Sequence, residues 1–123
     1  LLEPLDYVDF IYLMKNSWLI VSDSGGVQEE APSLGKPVLI LRENTERPEA
    51  IESGIAKLVG ANSLAEMLKE NYNDESWTRS VRSIENPFGD GKAAKRIVEI
   101  LEREFHAKAQ SSQRRIVNTD KYI

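Results

Sequence analysis

The chain has 123 residues, 41% of them apolar and 29% charged, with a formal net charge of −4. That is enough apolar material for one packed domain, and the acidic balance does not fit the basic face of a nucleic-acid binder. With no cysteine and a single histidine, His106, it holds neither a disulfide framework, a thiolate metal site nor a histidine metal cluster.

In chain order, "LLEPLDYVDFIYLM" opens in mid-pattern. Leu1 and Leu2 read as the end of a short strand closed by Glu3-Pro4, and we expect the chain to be part of a longer protein. Asp6 is placed to cap a helix over Tyr7 to Lys15, with Val8, Ile11, Tyr12 and Leu13 on one broad face. Trp18 to Val21 is an unbroken apolar run, as expected of a strand buried on both faces of a parallel sheet. A turn over Ser22 to Gly26 leads to a helix from Val27 to Leu34 that Gly35 ends. Pro37 to Leu41 is a second buried strand. Pro48 starts a helix, where its missing N–H costs nothing, and Gly54 ends it. Ala56 to Val59 is a third strand.

Asn62 or Ser63 then caps a helix to Tyr72 with Leu64, Met67 and Leu68 inward, and "NDESWTRSVRSI" forms another short helix. "NPFGDG" is a loop. Asp90 caps a last helix, Lys92 to Phe105, whose Ala93, Ile97, Ile100 and Leu101 make a buried stripe. We divide the chain into a partial domain over 1–106 and a polar tail over 107–123. The tail is either disordered or docked through Ile116, Val117, Tyr122 and Ile123. Strands alternating with helices predict an α/β fold with a parallel sheet and right-handed crossovers. So few strands suggest half of a doubly wound domain. No apolar run nears the roughly 18 residues of a membrane helix and no secretory signal is visible. We therefore expect a cytoplasmic protein with no membrane partner.

The stretch "SDSGGVQEEAPSLGKPVLI" carries the functional question. Ligands of open α/β sheets bind beyond the carboxyl ends of the strands, where Ser24, Gly25 and Gly26 fall. The first N–H groups of a helix lack internal partners, and two glycines let a phosphate reach them. The alternative is a turn using glycine for its backbone angles. Glu29 and Glu30 complement the helix dipole if they lie in its first turn. Glu30, four residues after Gly26, is instead placed to accept hydrogen bonds from two sugar hydroxyls. Arg47, after the next strand, suits a diphosphate, or an ion pair with Glu43, Glu46 or Glu49.

Taken together, "SDSGG", "QEEAPSLGKPVL" and "RENTERPE", with "EPLDYVDFIYLM" before and "NPFGDGKAAKRI" after, resemble the carboxy-terminal part of the non-hydrolysing UDP-N-acetylglucosamine 2-epimerase family. The resemblance runs in order from Leu1 to Leu101. It implies a three-layer Rossmann-like sheet, the carboxy-terminal half of the second domain of a two-domain, glycosyltransferase-B-like fold. The implied reaction interconverts UDP-GlcNAc and UDP-ManNAc by eliminating and re-adding UDP.

By that resemblance Ser24, Gly25 and Gly26 hold the diphosphate, Glu30 the ribose hydroxyls, and Arg47 faces the diphosphate. The backbone around Leu5 and Phe10 borders the uracil. Implied partners are UDP or UDP-GlcNAc, a missing amino-terminal domain, and a second copy in a homodimer; no cofactor and no metal is implied. The family's acid and base residues fall upstream of Leu1, so no catalytic residue is assigned and the chain alone is expected to be inactive. His106 reads as an exposed residue at a helix end, and "NPFGDG" as a turn with an N-cap. A hydrolysing epimerase, a glycosyltransferase donor domain and a non-catalytic nucleotide-binding or interaction module remain the alternative readings.

Overall fold

A computed structural model describes residues 2–119, with side chains described through His106 and at Lys108. It divides into two units, one ending at Phe88 and one beginning at Gly89.

The first unit is built on a parallel sheet of three strands in the order β1-β2-β3: Ile20–Ser22, Val38–Ile40 and Ala56–Leu58. Ile20 faces Val38 and Ser22 faces Ile40, and on the other side Val38 faces Ala56. The expected α/β class and parallel pairing stand. Sequence order equals spatial order, so right-handed crossovers put both connecting helices on one face. These are α2, Gly25–Ser33, and α3, Pro48–Glu52, and they touch each other.

Val38, Leu39 and Ile40 are wholly buried, as a central strand covered on both faces requires. Each contributes about 1.5–3 kcal/mol by leaving water. Ala31 from α2, Ala50 from α3 and Ala56 from β3 pack against Val38 and Ile40, with Ile20, Ile51 and Phe88 around them.

Two strand expectations are corrected. Leu2 is in no strand and is 74% exposed, and Leu1 lies outside the described residues. The first strand is shifted to Ile20–Ser22, leaving Trp18 outside it, and it is not buried on both faces. As the edge of the described sheet it leaves Val21 partly exposed.

Helix α1 spans Tyr7–Asn16, and the Asp6 carboxylate accepts the Asp9 N–H at 2.9 Å, as its capping role predicts. Its one buried residue is Met14, however, while Val8, Tyr12 and Leu13 are exposed. After β3, a 3₁₀ turn at Ala61–Ser63 leads into α4, Leu64–Asn73, with Leu64, Met67 and Leu68 half-buried. Helix α5, Ser76–Ser80, brings Trp77 against the sheet end: its Nε1 donates to the Gly54 carbonyl at 2.7 Å, and the Lys57 ammonium lies 4.0 Å from its ring centre.

The second unit contains α6, Ala93–Thr119. It runs well past the Phe105 end read from sequence. Its expected buried stripe is corrected: Ile97, Ile100 and Leu101 are about half exposed, and Ala93 is exposed too. The side chains of Ile116 and Val117, and all of Tyr122 and Ile123, lie outside the described residues. No described helix is long and apolar enough to cross a membrane.

Candidate functional site

The carboxyl ends of β1 and β2 each lead into a loop, and those loops carry the residues of interest. The loop bases are tied together, because the Leu41 N–H donates to the Ser22 carbonyl at 3.1 Å, one step beyond the strands.

After β1 the helix starts two residues earlier than the sequence suggests. Ser24 is its N-cap, and Gly25 and Gly26 are its first two residues. Four N–H groups at a helix start need partners from outside the helix. Here the Ser24 N–H donates to Ser22 Oγ at 3.1 Å, and the Val27 N–H donates to Ser24 Oγ at 3.5 Å. The N–H groups of Gly25 and Gly26 have no partner among the described residues.

Neither glycine is explained by the protein around it. Both lack the positive φ that marks Gly35 at 62° and Gly54 at 81° after the ends of α2 and α3. A methyl group at Gly25 or Gly26 would come no nearer than 4.0 and 3.8 Å, respectively, to neighbouring atoms, an ordinary contact. The reading of these glycines as a turn adopted for its backbone angles is therefore overturned. Glycine at a helix position costs up to about 1 kcal/mol relative to alanine, and nothing within the fold calls for it here.

The shifted start also moves the two acids into the second turn of α2, leaving no acidic residue in the first. Their complementing the helix dipole therefore loses most of its force. Glu29 is four residues after Gly25 and Glu30 four after Gly26, so each lies below one glycine. Glu29 accepts a hydrogen bond from Arg47 Nε. Arg47 thus pairs with Glu29, which the sequence did not offer, and also with Glu46, which it offered beside Glu43 and Glu49, at 3.8 Å from Nη1. Glu30 is half-buried, with no side-chain hydrogen bond or ion pair among the described residues.

Arg47 is the residue before α3, with its side chain 34% exposed. Nε is held by Glu29, and Nη1 donates to the Glu46 carbonyl at 3.2 Å. Nη2 donates no hydrogen bond among the described residues, and it is this nitrogen that lies 4.0 Å from the position a Gly25 methyl would take. The Glu29 hydrogen bond, and then its charge, raise the guanidinium above the ordinary arginine pKa, so it is a permanent cation. Three unspent donors, from Gly25, Gly26 and Arg47, thus occur at one helix mouth. Positive charge, main-chain N–H groups and clearance suit an anion with several oxygens.

Leu5 and Phe10 are partly exposed, the first just before α1 and the second within it. The Phe10 N–H is spent on the Asp6 carbonyl at 3.0 Å, whereas the Leu5 main chain makes no hydrogen bond among the described residues. No hydrogen bond or ion pair links either residue to the α2 mouth.

Sequence reasoning missed the supports beneath Arg47. Gln28 is buried, 1% exposed, and its Oε1 accepts from the Thr45 hydroxyl at 2.6 Å. Thr45 Oγ1 in turn accepts the Arg47 N–H at 3.0 Å. A threonine two residues before Arg47 carries a local signal, since threonine hydroxyls bond the backbone two positions on.

The family model described as UDP-N-acetylglucosamine 2-epimerase matches residues 1–102. A UDP-N-acetylglucosamine 2-epimerase of Campylobacter jejuni is 50% identical over 103 residues, which is 82% of this chain and 27% of that protein. The crystal structure of UDP-GlcNAc 2-epimerase from Neisseria meningitidis bound to UDP-GlcNAc superposes with a TM-score of 0.75 at 50% identity, covering 83% of this chain and 28% of that one. The S. aureus MnaA–UDP co-structure gives a TM-score of 0.77 at 45% identity, with 86% and 29% covered. The chain thus spans between a quarter and a third of the length of the relatives it matches.

Proposed function

Because the chain belongs to the UDP-N-acetylglucosamine 2-epimerase family, we propose that it supplies the UDP-binding half of an enzyme interconverting UDP-GlcNAc and UDP-ManNAc. The observation that carries this reading is the group of three free donors, the Gly25 and Gly26 N–H groups and Arg47 Nη2, at glycines that neither backbone angle nor packing requires.

In this reading the diphosphate lies on the start of α2, where the dipole and the two N–H groups meet its oxygens. The Ser24 oxygen already accepts from Val27, leaving its hydroxyl hydrogen to donate to the ligand. Arg47 adds the cation. Glu30, without a side-chain partner among the described residues, accepts from the ribose hydroxyls. The main chain around Leu5 and Phe10 borders the uracil, with the Phe10 N–H itself spent within its helix.

Elimination of UDP across C1–C2 leaves a glycal and places negative charge on the departing diphosphate. UDP then bonds to C1 again while a proton is delivered to the opposite face of C2, which completes the inversion there. Donors fixed on the diphosphate stabilise that charge as it develops. The proton transfers at C2 need an acid and a base, which we assign to the amino-terminal domain of the whole protein. That protein works in the cytoplasm as a homodimer.

A chimaera tests the proposal: this chain replaces the matching segment of the Neisseria meningitidis relative. It should bind UDP by calorimetry and form UDP-ManNAc from UDP-GlcNAc, while the 123-residue chain alone forms none. A chimaera that folds but does not bind UDP, or epimerisation by the chain alone, would overturn it. Release of free ManNAc with UDP would instead identify a hydrolysing enzyme.

A further inference from the structure

We propose that Gln28 and Thr45 are positioning residues for Arg47, forming a relay from the interior of α2 that aims its free nitrogen at the helix mouth. The inference rests on the reading of that mouth as a diphosphate site.

Gln28 is the starting point. Amide groups this deeply buried are costly unless hydrogen-bonded. An apolar side chain would fill the same place on α2 without that cost. The side-chain bond that Gln28 makes among the described residues goes to a loop hydroxyl 17 positions away, Thr45. The polar residue therefore serves the loop rather than the helix.

Thr45 passes the constraint on. A hydroxyl has one hydrogen to give and lone pairs to accept with. Its hydrogen is taken by Gln28 Oε1 at 2.6 Å, which turns the oxygen toward the Arg47 N–H at 3.0 Å. Arg47 is left with φ −126° and ψ 65°, between the regular backbone regions, immediately before the first residue of α3. The next residue of α2, Glu29, holds the guanidinium through Nε. Consecutive residues of one helix thus hold Arg47 at both ends, and Nη2 is the corner left over.

Glu29 alone does not secure this geometry, because its carboxylate is 46% exposed and screened by solvent. The Gln28–Thr45 bond is part-buried, with Gln28 itself inside the fold, and is better shielded from that competition. Without it the loop loses its anchor, and Arg47 reaches the ligand only after being ordered by it.

The test is a double-mutant cycle on UDP binding by calorimetry, run in the 123-residue chain and in the chimaera. Thr45→Val removes both bonds at nearly constant shape and should weaken UDP about fivefold to tenfold. Thr45→Ser keeps the hydroxyl and should restore affinity. Combined with Arg47→Ala, Thr45→Val should add no further loss, because it acts through Arg47. A purely structural role would make the two losses additive, which overturns the proposal, as would unchanged affinity in Thr45→Val.

If Thr45→Val folds poorly, the pair Gln28→Leu with Thr45→Val removes both side-chain partners together, leaving no buried amide unpaired, and carries the same expectation. Should Arg47→Ala leave UDP affinity untouched, the diphosphate reading fails. Hydrogen exchange at the Arg47 amide then decides the relay: protected in the parent and Thr45→Ser, unprotected in Thr45→Val, with equal exchange in all three overturning it.

Discussion

Two segments of this chain place glycines at a helix start, and they mean opposite things. In "NPFGDGK", Gly89 and Gly91 have φ of 106° and 74°, angles that side-chain-bearing residues rarely adopt. Between them the Asp90 carboxylate accepts the Lys92 N–H at 3.0 Å and pairs with both terminal nitrogens of Arg96, each at 3.0 Å. That start already contains its own anion. In "SDSGGVQ", Gly25 and Gly26 have no such angles, no acid occupies the first turn, and two N–H groups have no partner among the described residues. Composition makes the segments look alike; φ and donor bookkeeping separate a self-sufficient turn from a start that is open to a ligand.

The sharpest way to break this contrast is at the open end. In the chimaera, Arg47→Ala and Glu30→Ala should each cost about 1.5–3 kcal/mol of UDP binding, the range for a hydrogen bond to a charged group. Calorimetry showing parental affinity in both variants would sink the assignment of the site. Asp90→Asn, at the closed end, should leave UDP affinity where it was.

Alanine at the glycines should move stability in opposite directions. Gly91→Ala forces a side chain into the left-handed region and should cost about 1–2 kcal/mol, seen as reduced helicity by circular dichroism. Gly25→Ala relieves a helical glycine and should stabilise by up to about 1 kcal/mol in urea titration, while UDP binding weakens. A Gly25→Ala variant that lost stability would mean that the fold itself needs that glycine.

The smallest effect is acid sensitivity at the closed end. Arg96, and then the Lys92 N–H, hold the Asp90 carboxyl below the usual carboxylate range. Its contribution to the start of α6 is thus fully present above the unfolded-state value and disappears as pH falls through the lower folded-state one. Helicity followed from pH 5 downward should show a step that Asp90→Asn lacks, with no counterpart at the start of α2.

Much of the fold was legible because burial writes itself into runs of apolar residues. "VLI" after Pro37 is a wholly buried central strand, and Pro48 starts its helix where the missing N–H is harmless. Leu2 and Trp18 misled because hydrophobicity alone says nothing of whether a ladder partner lies alongside. The stripe on α6 misled for a related reason: periodicity identifies an apolar face but not what covers it.

At the candidate site, Gly25, Gly26 and Arg47 fall together as the pattern suggested. The Glu29 partner of Arg47 was beyond it, because Glu29 is 18 positions away in the chain and local sequence offered only Glu43, Glu46 and Glu49. Gln28 was hidden because a polar residue in an amphipathic helix reads as solvent-facing until its burial is seen.

The hydrogen bond from the Leu41 N–H to the Ser22 carbonyl has a kinetic consequence. It extends the β1–β2 ladder to the roots of both site loops, so their separation is set when the sheet forms. A nucleotide arriving at the α2 mouth then meets an anchored surface and has little main-chain searching left to do. Association should track diffusion and ionic strength, and differences in affinity among variants should appear in residence time.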